Sequence, residues 1–367
     1  MAHVDALGRE DAGPAEARSV EARSVEEWAE TFRRVREELK KLVVGQDTVF
    51  TQILASMLAD GHCLLVGVPG LAKTLMIRSL AALLSLEFKR IQFTPDLMPS
   101  DITGATIIGK DPEGDRDFHF LRGPVFANFI LADEINRTPP KTQAALMEAM
   151  EERQVTAAGQ RMRLRRPFFV MATQNPIEQE GTYPLPISQL DRFLMEVHVD
   201  YPTVDEEFLV VLRTTSGYHA ELEPFLERDE ILRALEFVRR VEVSAPLMDY
   251  ASRIVRTSRP GSEGTPDFVR EWISWGAGPR AVQAILETSR ALAFLDGRTQ
   301  VTMDDIHKVA HPVLRHRLVL TYHAEAEGTD PDELVEKILV HLGHYTPPEP
   351  EVSPRKKSFL SRLLTRR

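Results

Sequence analysis

At 367 residues the chain exceeds what one hydrophobic core usually serves, so two domains with short terminal extensions are expected. Hydrophobic residues make up 43% and charged residues 27%, ordinary values for a globular protein, and no apolar run approaches the ~18 residues a membrane span needs. The net charge of −10 argues against indiscriminate attraction to nucleic acid, leaving room at most for a local basic channel.

The N-terminal MAHVDALGRE lacks the basic and apolar regions of a secretory signal, so a cytoplasmic location is expected. Residues 1–28 are polar and acidic and repeat EARSV at Glu16 to Val20 and Glu21 to Val25, which reads as a weakly structured, mobile extension. From Phe32 the apolar spacing Phe32, Val35, Leu39, Leu42 predicts a helix, which Val44-Gly45-Gln46 breaks before a second helix from about Thr48 to Leu58. Short apolar strands then alternate with helices, the α/β signature of a parallel sheet with helices on its faces. The expected strands are Cys63 to Val68, Phe88 to Phe93, Phe129 to Asp133, Phe168 to Thr173 and Phe193 to Val199, with helices at about Lys73 to Leu86 and Pro140 to Glu151. Cys63, the only cysteine, sits in an apolar run and reads as a buried strand residue. The stretch Thr94 to Gly123 is too long for a plain connection, and Gln154 to Arg165 reads as a hairpin turning at Ala158-Gly159. Tyr201-Pro202-Thr203 marks a domain boundary, beyond which strands give way to helical periodicity up to about His344. The expected units are 29–220 for the α/β core, 221–345 for an all-helical second domain, and 346–367 for a proline-rich linker with a basic tail.

Chemistry enters at GVPGLAKT, residues Gly67, Val68, Pro69, Gly70, Leu71, Ala72, Lys73 and Thr74, which follow a strand and open a helix. Backbone N–H groups and the helix N-terminus offer positive dipole to phosphates, Lys73 reaches the outer phosphates of ATP, and the Thr74 hydroxyl can hold Mg2+. The spacing is that of G-x-x-x-x-G-K-T, except that Ala72 stands in place of the last glycine and adds a methyl beside the phosphates. A buried strand, FILADE, ends in Asp133, placed to bind magnesium, and Glu134, placed to polarise the attacking water. A further strand ends in Thr173-Gln174-Asn175, so three polar strand ends share the sheet edge where open parallel sheets bind ligands. Asn175 can bond the attacking water or the outermost phosphate, or serve only as a turn residue before Pro176. Arg192 could reach a neighbouring subunit's phosphate, or merely pair with Asp191. Arg280, at a proline-marked helix start in the second domain, could touch the phosphate and couple domain closure to nucleotide state.

In order, VVGQD, GVPGLAKT, FTPDLMPSDITG, LRGPVFANFILADEINR, ALMEAMEERQVT, ATQNP, QLDRF, GAGPRA and VTMDDI resemble the MoxR family of AAA+ ATPases over roughly Phe32 to His344, and Ala72 is usual in that family. The resemblance implies a P-loop AAA+ core with a helical lid, Walker A at Gly67 to Thr74, Walker B at Asp133 and Glu134, sensor 1 at Asn175, an arginine finger at Arg192 and sensor 2 at Arg280. It implies that Val44, Gly45 and Gln46 pack on adenine, that Thr94 to Gly123 carries a helical insert, and that a hairpin lies at about Gln154 to Arg165. It further implies a hexameric homo-oligomeric ring, a partner bearing a von Willebrand factor A domain, and chaperone-like work on protein clients.

Outside the resemblance, Phe359, Leu360, Leu363 and Leu364 fall at helical spacing among basic residues, so the tail reads as either a solubilising extension or an amphipathic contact with a partner or anionic membrane. His307, His311 and His316 read as a helical face rather than metal ligands, and Trp272 and Trp275 as packing near Arg280. Arg161, Arg163, Arg165 and Arg166 on the hairpin keep a DNA motor open as a rival to a protein remodeller, with a nucleotide-gated scaffold as a third reading.

Overall fold

A computed structural model describes residues 23–110, 116–157, 159–177, 181–216 and 222–346. The first helix, α1 (Val25–Leu42), begins inside the acidic stretch for which the sequence suggested weak structure. Ser24 accepts from the Glu27 N–H while the Glu27 carboxylate accepts from the Ser24 N–H, a reciprocal cap that fixes this start. Its apolar face buries Val25, Trp28, Phe32, Val35 and Leu39. α2 (Asp47–Leu58) follows after the break at Gly45, whose φ of 78° is left-handed.

The core then runs β1 (Cys63–Val66), α3 (Lys73–Leu83), β2 (Phe88–Gln92), α4 (Pro99–Thr103), β3 (Gly104–Lys110), β4 (Arg116–Arg122), β5 (Phe129–Asp133), α5 (Pro140–Glu152), β6 (Gln154–Ala157), β7 (Gln160–Arg163), β8 (Phe169–Gln174), α6 (Ile187–Leu190) and β9 (Met195–His198). Five of these strands form a parallel sheet, as the sequence predicts, and their order is β2-β5-β8-β1-β9. The insert differs from its expected helical form. Among the described residues between Thr94 and Gly123 only the five-residue α4 is helical, and β3 pairs antiparallel with β4 from Gly104↔Arg122 onward. The β-branched and aromatic residues Ile107, Ile108, Phe118 and Phe120 favour a pleated pair over a helix. The second hairpin, β6 with β7, lies where the sequence places it; of its turn, Gly159 has a φ of 74° and Ala158 lies outside the described residues.

Beyond β9 come α7 (Val204–Thr215), α8 (Arg228–Val238), α9 (Ala245–Thr257), α10 (Asp267–Trp272), β10 (Ile273–Trp275), α11 (Pro279–Leu295), α12 (Met303–Leu314), β11 (Val319–Leu320), α13 (Tyr322–Glu327) and α14 (Pro331–His341). The lid is therefore not wholly helical, since β10 and β11 pair antiparallel. Strands of three and two residues are too short for alternation to reveal. Trp275 is 69% exposed, contrary to its expected packing role, while Trp272 carries the Lys337 ammonium 4.0 Å from its ring centroid.

One apolar cluster joins α1, α2, one face of the sheet and the lid, with Trp28 and Phe32 against Phe294 of α11. A second lies on the other sheet face beneath α5. Strand β1 feeds both by alternation, Cys63 and Leu65 to one side and Leu64 to the other. Cys63 is buried and burial pushes its thiol pKa upward, which suits packing rather than reactivity. The N-terminal repeats up to residue 22, the prolines from Pro347 onward and the basic tail lie outside the described residues.

Candidate active site

Adjacent strands β5, β8 and β1 end side by side, so Asp133, Gln174 and Val66 lead into one edge of the sheet. The loop after β1 passes tightly under β9: a Cβ on Gly67 would lie 2.6 Å from the Val199 carbonyl oxygen. Gly70, with φ of 86°, and Ala72, with φ of 54°, turn the loop into the N-terminus of α3. Lys73 opens that helix and its ammonium folds back onto the Gly67 carbonyl. Burial pulls the Lys73 pKa down while Asp133 and Glu134 pull it up. Thr74 follows on the first turn, partly exposed.

The two carboxylates are gripped differently. The Thr173 hydroxyl donates to Asp133 Oδ1 at 2.6 Å and accepts from the Glu134 N–H at 2.9 Å, tying both acids to β8. Asp133 Oδ2 accepts from Arg90 Nε and Nη2 at 3.0 and 2.6 Å. Glu134, in a left-handed conformation with φ of 57°, accepts from Gln92 Nε2 at 2.8 Å and from Arg137 Nη1 at 2.9 Å. Sequence reasoning missed Arg90, Gln92 and Arg137. The alternation of FKRIQF puts Arg90 and Gln92 on one face of β2, and that strand adjoins β5, so the signal was present once the strand order is known.

Asn175 is 5% exposed; its Oδ1 accepts from the Ile177 N–H at 3.2 Å, while its Nδ2 is buried with no partner among the described residues. A phosphate or water oxygen at this edge would satisfy that donor. The donor set also fits magnesium. Among the described residues no three His, Cys, Asp or Glu side chains converge as a protein cage, and Mg2+ is ordinarily held by one or two carboxylates with phosphates and water. The Arg90 guanidinium on Asp133 marks where cationic charge is favoured.

On the same side, Gln46 Nε2 donates to the Asp200 carbonyl at 3.1 Å, next to partly buried Val44 and exposed Gly45. Gly45 and Gln46 line a cleft of about 380 Å³ with His198, Tyr201 and two lid residues, Arg315 and Asp332. Arg315 clasps Asp332 through Nε at 2.9 Å and Nη2 at 2.8 Å, and donates to the Glu196 carbonyl at 3.3 Å. The lid thus reaches this cleft through Arg315, a residue the sequence did not single out.

Arg192 and Arg280 lie elsewhere. Arg192 precedes β9, whose Met195 is level with Cys63 at the start of β1, so it sits at the opposite edge of the sheet from Gly67. Its Nη2 is 2.7 Å from Glu151 Oε2, rather than paired with Asp191. Arg280 reaches the same carboxylate, Nη2 to Oε1 at 2.7 Å, so it stands beside Arg192 and away from its own phosphate loop, where the lid reading had placed it. Asp191 instead takes Arg317, with Nε to Oδ1 at 2.8 Å. Arg317 is nearly fully buried, which pulls its pKa down against the pull of Asp191, and it also donates to the Phe193 carbonyl at 2.6 Å. The histidines of the lid hold structure: His316 Nε2 lies 3.1 Å from the Phe193 carbonyl and His307 Nε2 lies 2.9 Å from the Tyr250 hydroxyl.

Residues 62–195 match the family model described as ATPase family associated with various cellular activities (AAA), and residues 268–338 match the AAA lid domain. The chain is 43% identical over 309 residues to Chaperone MoxR1 of Mycobacterium tuberculosis, covering 84% of this chain and 81% of that one. It is 31% identical over 314 residues to Protein MoxR of Paracoccus denitrificans, covering 81% and 91%. A crystal structure of a protein from Cytophaga hutchinsonii matches with a TM-score of 0.80 at 40% identity, over 86% of this chain and 95% of that one.

Proposed function

The chain belongs to the MoxR family of AAA+ ATPases, and on that premise we propose that it hydrolyses ATP as a homo-oligomeric ring, hexameric as in related rings, to remodel or mature protein clients. Within one chain the phosphate loop cradles the triphosphate, Lys73 neutralises its outer charge, and the base is bordered by Gly45 and Gln46 of the cleft, with Val44 added by the family resemblance. Glu134 orients and polarises the attacking water, and Asn175 donates to that water or to the outermost phosphate. Magnesium, held by Thr74 and Asp133, would neutralise charge on the phosphates.

The observation that carries the ring is the separation of charges. The phosphate loop and the two arginines occupy opposite sheet edges, with β1 between them, roughly 13 Å of strand. Arg192 and Arg280 therefore serve the site of a neighbouring subunit, whose own Arg90 and Arg137 are already engaged by Asp133 and Glu134. Mixing Arg192→Ala with Glu134→Gln subunits, each inactive alone, should restore turnover, because one interface in the mixture then combines an intact acid with an intact arginine. No recovery in rings shown to be mixed would overturn the assignment.

The protein client is supported by the relative named as a chaperone and by the family resemblance, which also suggests a partner with a von Willebrand factor A domain. A ring stalled by Glu134→Gln should retain both in ATP and release them in ADP. Against the DNA-motor alternative stand the acidic charge and the use of Arg166 in a pair with Asp60 at 2.8 Å. DNA that stimulates turnover in a salt-dependent way would reverse the preference.

A further inference from the structure

Glu151 lies next to last in α5, where that helix reaches the N-terminal edge of the sheet. One of its carboxylate oxygens meets Arg192 at 2.7 Å and the other meets Arg280 at 2.7 Å. Arg192 comes from the core, before β9, and Arg280 from the lid, at the start of α11. A single side chain therefore joins the two guanidiniums across the domain boundary. Arg317 adds a third guanidinium to the same cavity of about 200 Å³, held back by Asp191. Three cations so close repel one another, and the repulsion is strongest where solvent is thin. Glu151 offsets it through Nη2 of each of its two arginines, with Asp191 Oδ2 a looser second acid 3.9 Å from Arg280 Nη1, and both arginine side chains keep exposed surface, 28% for Arg192 and 52% for Arg280.

We propose that Glu151 is the positioning residue for the arginine pair: it holds Arg192 and Arg280 side by side as one preformed clamp for the outer phosphate of a neighbour's ATP. The inference rests on the reading that both arginines act on a neighbouring subunit. In this arrangement Glu151 contacts neither the ATP nor the attacking water; it acts through the arginines. The neighbouring helix end is itself anchored, since the Met150 carbonyl receives His62 Nε2 at 3.2 Å, so the carboxylate starts from a fixed point.

The test uses Glu151→Gln in the full chain, because the amide keeps size and some hydrogen bonding while removing the charge. Its kcat should fall on the order of 10- to 100-fold, the effect expected of a misplaced catalytic group, with ATP affinity unchanged. Mixing then assigns the side of the interface. Glu151→Gln mixed with Glu134→Gln should regain turnover, whereas Glu151→Gln mixed with Arg192→Ala should not, because both of those variants damage the arginine face. The opposite pattern, recovery with Arg192→Ala but not with Glu134→Gln, would place Glu151 in its own subunit's nucleotide site and overturn the proposal; so would wild-type turnover of Glu151→Gln alone. If Arg192→Ala and Glu134→Gln themselves fail to complement, the shared site falls first, which separates the two failures.

Discussion

At one edge of the sheet, three neighbouring strand ends deliver Asp133, Asn175 and the phosphate loop, each placed by backbone continuous with a buried strand. At the other edge, the charged groups come from the end of α5, the turn before β9, the start of α11 and the turn after α12, and ion pairs hold them together. The first arrangement is as rigid as the sheet. The second is as firm as the contact between core and lid, so a change in lid position must move Arg280 relative to Arg192. The chain thus carries its phosphate-loop edge on the sheet and its arginine pair at the contact between core and lid.

The comparison predicts which losses are largest. Arg192→Ala should lower turnover by about three to five orders of magnitude while leaving ATP binding to the isolated chain intact, because the missing charge acts only in the transition state. A parallel loss of ATP affinity would mean that the arginine edge supports its own subunit's site. Glu134→Gln should cost about two to four orders of magnitude in turnover and likewise spare binding, since general-base assistance is of that size. Steady-state hydrolysis with equilibrium binding of a fluorescent ATP analogue separates the two quantities in both variants.

The phosphate-loop edge was legible in the sequence because each of its parts is local: a strand, a turn and a helix start within GVPGLAKT, and two acids closing FILADE. The arginine edge was legible only as residue types. Nothing in the spacing of Arg192 and Arg280, 88 positions apart, says that they share one carboxylate, and Asp191, adjacent in sequence, was the natural guess for a partner. Packing decided otherwise, because Arg317 is buried against the Phe193 and Leu194 carbonyls and claims Asp191 first. The insert was misread for a related reason. A helical expectation came from resemblance, while its β-branched and aromatic residues form a hairpin.

Acid should loosen the arginine edge. His62, just before β1, is buried; its Nδ1 accepts from the Val170 N–H at 3.1 Å and its Nε2 lies 3.2 Å from the Met150 carbonyl, beside Glu151. Burial holds its pKa down to about 4, below the ordinary 6.5. Between these values the unfolded chain binds a proton that the folded chain refuses, so stability rises with pH across that window and is lost as pH falls below 6.5. The full loss by pH 4 amounts to about 3 kcal/mol. Denaturant unfolding between pH 7 and 4.5 should show the slope, and His62→Asn, which cannot titrate, should flatten it. An unchanged slope would assign the acid sensitivity to other groups, the buried His316 first among them, whose pKa is also held well below the ordinary value by burial.

The smallest effect falls on the residue that departs from the phosphate-loop pattern. Ala72 takes a φ of 54° as the N-cap of α3, a left-handed conformation that glycine adopts freely and that costs an L-residue about 1–2 kcal/mol. Glycine here would relieve that strain, yet it would also enlarge the conformational freedom of the unfolded chain by about 0.4–1 kcal/mol. The terms oppose each other, so Ala72→Gly should shift stability by no more than about 1.6 kcal/mol, toward the more stable side, and leave ATP affinity within a few-fold. Ala72→Val is the informative contrast. A β-branched side chain at positive φ is a steric outlier, so valine should distort the turn from Gly70 into α3 and weaken ATP binding well beyond the change that glycine produces. Equal affinities for the two variants would mean that the loop re-forms around its ligand regardless of what stands at position 72, and that the rigidity of this edge begins at β1 and β5 rather than in the loop.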